Sequence, residues 1–346
     1  MTQDEFYNLI LSPAYDFLRT DPHLGENIMF LTLGGSHAYG TNVEGSDVDV
    51  RGCAMNSVQD ILGFSNFEQR VDTVTDTTIY GFNKLVRLLL SCNPNTIELL
   101  GNKPDQYFYI TPAGKMLVDN KKLFLSQTAV HAFGGYANQQ LRRLQNALAH
   151  DHYTQDEKER HILGTCKSVF ENFRLQHADI PGDSVRLYID KGVTEGMDTE
   201  IFIDCDLKHY PLRNFKEMNS DLGTVIGQYA KFGKRNSKKD DQHLNKHAMH
   251  LVRLYLMCFD ILEKGEINTY RENDRDFLLK IRAGKFQKPD GTYYQEFFDL
   301  IDQYEKRLQY DKANTMLPKT PDYKRVEELV MEVNYHACTT RYPPAA

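Results

Sequence analysis

The chain has no tryptophan and no cysteine pair of the CxxC kind. Its six cysteines, Cys53, Cys92, Cys166, Cys205, Cys258 and Cys338, stand far apart. That spacing argues against a disulfide framework and against a cysteine zinc site. No apolar run approaches the ~18 residues of a membrane span. The opening MTQDEFYNLI lacks a basic segment followed by an apolar one. Positive charge is not in excess either: 41 Lys and Arg against 48 Asp and Glu give a net charge of −7. A generally basic nucleic-acid coat is thereby excluded, and any nucleic-acid contact must come from a local patch. Neither an internal repeat nor a long low-complexity tract is visible. The expectation is a soluble, cytoplasmic protein without membrane contact. What the sequence does have is apolar material, 41% of 346 residues with 20 Tyr and 19 Phe. That is enough for a sizeable core, spread over roughly two domains at ~150 residues each. An enzyme is favoured over a scaffold.

The pattern along the chain divides it. Residues 3–20 have helical spacing (Phe6, Leu9, Ile10, Tyr15, Leu18), interrupted at Pro13. Ile28 to Leu33 is a continuous apolar run of strand length ending in Gly34-Gly35, which suits a strand buried on both faces. Asp47 to Arg51 alternates, so Val48 and Val50 face one way and Asp47, Asp49 and Arg51 the other. Residues 71–80, rich in Thr and Val, read as one further strand. Residues 82–90 read as a helix burying Phe82, Leu85, Val86, Leu89 and Leu90. From residue 126 long helices are expected over 126–150, 155–177, 215–232, 243–264 and 294–310, with a hairpin insertion about 183–206. The expected architecture is an α/β (α+β) domain with a small mixed sheet over residues 1–125, then a mainly helical domain over 126–346.

The sharpest feature is Gly34-Gly35-Ser36-His37-Ala38-Tyr39-Gly40-Thr41 followed by Ser46-Asp47-Val48-Asp49-Val50-Arg51-Gly52. A buried strand running into two glycines lets backbone N–H groups approach a ligand unobstructed. Ser36 follows at an expected helix N-terminus, which favours phosphate oxygens. Carboxylates at i and i+2 of a strand share a face, ~7 Å apart along the backbone. They repel one another unless a cation lies between them, and hard oxygen ligands suit Mg²⁺. A phosphate cradle beside a two-carboxylate metal site is equipment for phosphoryl or nucleotidyl transfer.

These two segments resemble the GS…DxD signature of the DNA polymerase β superfamily of nucleotidyltransferases. They are most similar to its uncharacterised and RNA-repair-associated bacterial and phage branch. Asn93-Pro94-Asn95 with Glu98, the Lys246–Leu254 segment KHAMHLVRL and the Ile281–Lys285 segment IRAGK match further elements of that branch. The resemblance implies that Gly35, Ser36 and Thr41 hold the phosphates of a nucleoside triphosphate, with ATP the favoured donor. It implies that Asp47 and Asp49 bind Mg²⁺ or Mn²⁺, and that a third carboxylate completes the metal site. Asp76 is preferred for that role over Asp72, with Glu98 a weaker alternative.

The Lys246 segment also speaks for itself. Lys246, His250 and Arg253 lie at i, i+4 and i+7, a polar stripe on an otherwise apolar helix. Burying unpaired cations is costly, so the stripe must meet water or a partner. Facing the phosphates across an interdomain cleft, it would neutralise their charge. Lys231–Lys239 places five cations and one aromatic in a short run that suits an RNA backbone. Arg282 and Lys285 beside Gly284 carry a weaker form of the same signal. The functional expectation is a metal-dependent nucleotidyltransferase that moves a nucleoside monophosphate to a hydroxyl, an RNA end, and releases pyrophosphate. The alternatives are adenylylation of a protein or small-molecule hydroxyl, or a non-catalytic nucleotide- or RNA-binding module.

Overall fold

The apolar run becomes β1 (Ile28–Leu33), whose six residues are all buried. A strand of this composition is stable only where both faces and both edges are covered, and it sits inside a five-stranded mixed sheet. The partners are β2 (Val50–Ala54), β3 (Gln69–Asp72), β4 (Thr77–Gly81) and β5 (Tyr107–Ile110), in the order β3-β4-β2-β1-β5. β1 runs antiparallel to β2 and β5, β2 pairs parallel with β4, and β3 and β4 form a hairpin. This computed structural model describes residues 2–152, 155–177, 180, 184–194, 198–234 and 241–340.

Two strand expectations change. Residues 71–80 are not one strand but parts of β3 and β4 around a tight turn. The Asp72 carboxylate makes that turn by accepting the N–H groups of Val74 (3.1 Å) and Thr75 (2.9 Å). Asp76 leaves it with φ +44°, the left-handed region that Asp tolerates. Asp47 and Asp49 are not on a strand either, because β2 begins at Val50, opposite Leu33. One further bond, from Gly34 N–H to the Asp49 carbonyl at 2.8 Å, ties Asp49 to the end of β1.

One cluster of the core packs Phe6, Leu18, Leu31, Leu33, Val50 and Ile79 with Phe108. The helix Gln3–Leu11 enters it through a capping box of Thr2 and Glu5, stops at Ser12 before Pro13, and stacks Phe6 on Phe108 at 4.0 Å. The helix Phe82–Leu90 buries Phe82, Leu85, Val86 and Leu89, while Leu90, expected on the same stripe, is half-buried. The later part of the chain is mainly helical: Thr128–His152, Gln155–Gln176, Leu212–Lys234, Asp241–Phe259, Gln295–Asn314 and Tyr323–Thr340. The antiparallel hairpin of β6 (Val185–Lys191) and β7 (Thr199–Cys205) lies within it. No helix among the described residues is long and apolar enough to cross a membrane.

The chain forms two compact units. One comprises Met1–Leu141, Asn245–Phe286 and Tyr293–Ala346, and the other Arg142–Leu244 with Gln287–Thr292. The composition change near residue 126 marks the onset of long helices, while the helix bearing Lys246 packs in the same unit as the sheet.

Candidate active site

The two glycines at the end of β1 are held against Asp49, with the Arg51 side chain also against Gly34. A Cβ on Gly35 would lie 1.7 Å from Asp49 Oδ2, and the residue has φ +54°. Glycine is therefore required twice over, for the backbone angle and for the space. Ser36 is buried in the first turn of the short helix Gly35–Tyr39. At the other end of that helix Gly40 takes φ +73°, and a Cβ there would meet the Tyr270 ring at 2.6 Å. Valine at position 35 should displace Asp49 from the turn. Titration should show Gly35→Val losing more nucleotide affinity than Ser36→Ala, for which one hydrogen bond to a charged group predicts a loss of about 1.5–3 kcal/mol.

Asp49 and Asp76 come together, although 27 residues separate them. Burial pushes the Asp49 carboxyl up to about 7, and its hydrogen bond with Asp76 adds to the rise. Asp76 is held below the usual carboxylate range, first by that same bond and then by Arg51. Below about pH 7 the pair thus shares one proton, with protonated Asp49 donating to the Asp76 carboxylate. Arg51 lies 3.1 Å from Asp76 Oδ1 and 3.7 Å from Asp49 Oδ1, and also donates to the Asp76 carbonyl. Lys246, exposed on its helix, acts electrostatically on both acids. No cleft between domains separates them, since all belong to one compact unit. Asp47 is exposed two residues before Asp49, and Asp72 is occupied by its turn. Among the described residues no three His, Cys, Asp or Glu side chains form a ready-made metal cluster.

Several expected nucleotide contacts are placed elsewhere. Arg253 is buried: its guanidinium bonds Glu98 at 3.0 Å and stacks on the Tyr39 ring at 3.6 Å. Glu98 also accepts from the Tyr39 hydroxyl at 2.8 Å, so it is a packing partner and not a metal ligand. Arg253 therefore holds the Gly35–Tyr39 helix from behind through Glu98 and the Tyr39 ring. His250 is half-buried, edge-on to Tyr39 at 6.0 Å. Burial, with Arg253 and Lys246 close by, keeps its pKa well below the usual imidazole value, so it is uncharged. Thr41 is fully buried, and its backbone N–H bonds the Ser36 carbonyl at 2.9 Å. Lys285 lies 5.1 Å from the centre of each of the Phe277 and Phe286 rings. Of the run Lys231–Lys239, residues 231–234 end a helix and 235–239 lie outside the described residues.

The structure adds a clamp that local sequence does not announce. Arg275 Nε donates to the Gly40 carbonyl at 2.7 Å, and Arg282 donates to the Thr41 carbonyl at 2.6 Å. The Arg271 N–H bonds the Tyr39 carbonyl, and Gln106 donates to the His37 carbonyl at 3.2 Å. These donors satisfy carbonyls of the last turn of the five-residue helix and of the two residues that follow it. The sequence marks Arg282 beside Gly284 as a phosphate-backbone contact, whereas it and Arg275 serve carbonyls more than 230 residues earlier.

Residues 15–174 match the RNA repair pathway DNA polymerase beta family. That span carries the glycine turn, Asp47, Asp49, Asp76, Arg51 and Glu98, and the resemblance read from GGS…DxD is shown. Lys246, His250, Arg253 and the arginine clamp lie beyond it. Neither a curated protein nor a solved structure matches the chain. The family's description points to nucleotidyltransferase chemistry, and the matched span covers the five-stranded sheet and the helices that follow it up to residue 174.

Proposed function

We propose that this protein is a metal-dependent nucleotidyltransferase that moves a nucleoside monophosphate from a nucleoside triphosphate, ATP first among them, to a hydroxyl of an RNA end and releases pyrophosphate. The observation that carries this reading is the direct apposition of the Gly34-Gly35 turn and the Asp49–Asp76 pair. Anion cradle and cation ligands share one wall, which is what a phosphate–metal complex needs.

The donor set fits a hard divalent cation: two carboxylates pressed close enough to share a proton, with Asp47 exposed two residues before Asp49. Mg²⁺ or Mn²⁺ held by Asp49, Asp76 and Asp47 would supply charge neutralisation at the triphosphate and the acceptor oxygen. The chain's own groups do the positioning. The Gly35 and Ser36 N–H groups and the Ser36 hydroxyl hold phosphate oxygens. Lys246 adds positive charge at the same wall. Arg51 orients Asp76 while leaving its carboxylate partly exposed. Arg253, Arg275 and Arg282 keep the turn rigid so that little reorganisation accompanies reaction.

Cation binding must expel the proton that Asp49 shares with Asp76. Metal affinity should therefore rise with pH below about 7, up to tenfold per unit, and level off above it. Isothermal titration with Mn²⁺ between pH 5.5 and 8.5 measures this, and a flat profile would remove the pair from the metal site. Incubation with labelled nucleoside triphosphates, Mg²⁺ and RNA, protein or small-molecule acceptors tests the activity. Label should enter RNA and pyrophosphate should appear. Label in none of the acceptors would overturn the reading.

A further inference from the structure

The unit Arg142–Leu244 holds a groove that plays no part in the chemistry above. It runs between the helix Gln155–Gln176 and β6 as two adjoining cavities of about 650 and 700 Å³ that share Lys167, Leu187 and Tyr188. The helix turns Cys166, Phe170 and Phe173 inward, the last two into a cluster with Val185 and Leu222. Arg160, Lys167 and Arg174, seven residues apart, share another face with a drift of only ~20° per step. At 1.5 Å per residue the three cations span ~21 Å. All are exposed, and Lys167 and Arg174 have no ion pair among the described residues.

Across the groove β6 offers Arg186 above the Tyr188 ring at 5.7 Å, with Asp204 holding both. Of the three acids along the groove, Asp156 is neutralised by Arg160 at 2.6 Å, Asp190 accepts the Lys191 N–H, and Glu171 is exposed on the helix between Lys167 and Arg174. The lining contains five cations and three acids in a chain whose net charge is −7. Gly164 lies mid-helix in the lining, and a Cβ there would meet nothing within 4 Å. Packing does not require this glycine, which is a poor helix former, and its absent side chain keeps the groove floor open.

We propose that this groove binds the backbone of a single-stranded nucleic acid, with phosphates on Lys167 and Arg174 and a base on the Tyr188–Arg186 platform. Evenly spaced cations beside an aromatic ring suit a repeating phosphodiester, and the ring gives a base a sequence-tolerant surface. A ~21 Å stripe corresponds to about four nucleotides, the short end of the range for such sites. That the strand is the acceptor rests on the transferase reading, whereas the groove rests on its own unit.

The test is fluorescence anisotropy of the full chain with oligo(U) and oligo(dT) of about 12 nucleotides, across a salt series. Two or three phosphates predict a log–log slope of about −1.4 to −2.1, at ~0.7 per phosphate. Lys167→Glu with Arg174→Glu should lower affinity about tenfold or more and flatten the slope by ~1.4. Gly164→Leu, which plugs the floor without changing charge and favours the helix, should also lower affinity. Tighter binding of oligo(U) assigns RNA, and equal binding assigns the backbone alone. No binding at low salt, unchanged binding in both variants, or preference for a polyglutamate peptide overturns the groove. Oligonucleotide binding lost in the variants, with no label transferred by the parent to any acceptor, keeps the groove and overturns the transferase reading.

Discussion

Asp49→Asn and Asp76→Asn should each lower nucleotidyl transfer by about 10²–10³-fold or more, the scale of removing one preorganised electrostatic contact from an active site. On the proposed reading each removes a carboxylate from a pair that shares one proton below about pH 7. The fold should survive, because both groups lie at the rim of the sheet: Asp49 precedes β2 and Asp76 precedes β4. Asp49→Asn should also abolish the rise of metal affinity with pH. Single-turnover assays with saturating nucleoside triphosphate separate loss of the chemical step from loss of binding. Asp72→Asn is the matched control, since its carboxylate builds a turn and should cost stability without removing transfer. Transfer at the parental rate in Asp76→Asn would return the third-ligand role to another residue.

The second large effect concerns stability and is centred on Glu98. Its carboxylate is the partner of a buried guanidinium and a buried phenol. Glu98→Ala should destabilise the protein by about 3–5 kcal/mol, because it leaves the Arg253 cation buried without a counter-charge. The pair itself need not stabilise on balance. Glu98→Leu combined with Arg253→Met should therefore recover much of the loss in urea denaturation. The Tyr39 hydroxyl would then lack its acceptor. Because Tyr39 ends the helix that begins at Gly35, both variants should also weaken nucleotide binding. Additive effects of the two single changes would show that they do not act as a pair.

What a local pattern can encode was legible. The IMFLTL run predicted a strand covered on both faces, the spacing of Phe82, Leu85, Val86, Leu89 and Leu90 predicted a helix, and the segment about 183–206 predicted a hairpin. Each signal lies within one element, where period and composition suffice. The glycine turn and the acids were also visible as residue types, and Asp76 was the preferred third carboxylate. Its position was not legible: Asp76 lies in the turn before β4, not within one strand over 71–80, and it reaches Asp49 because β2 and β4 pair in parallel.

The sequence by itself determined the strand, the glycine turn, the order of the acids and the polar stripe Lys246–His250–Arg253. Only the tertiary structure decided which members of that stripe are free. Lys246 remains at the surface near the acids, His250 loses its charge to burial, and Arg253 finds Glu98 at a separation of 155 residues. Whether a cation meets a ligand, water or an internal carboxylate depends on what lies opposite it. Helical period fixes a direction from the axis and says nothing about what waits there. Arg275 and Arg282 show the same limit, for they serve carbonyls that become neighbours only when the chain folds back on its first forty residues. The cations of the Gln155–Gln176 helix follow it too: their spacing is written in the chain, and the groove they line exists only once β6 packs opposite them.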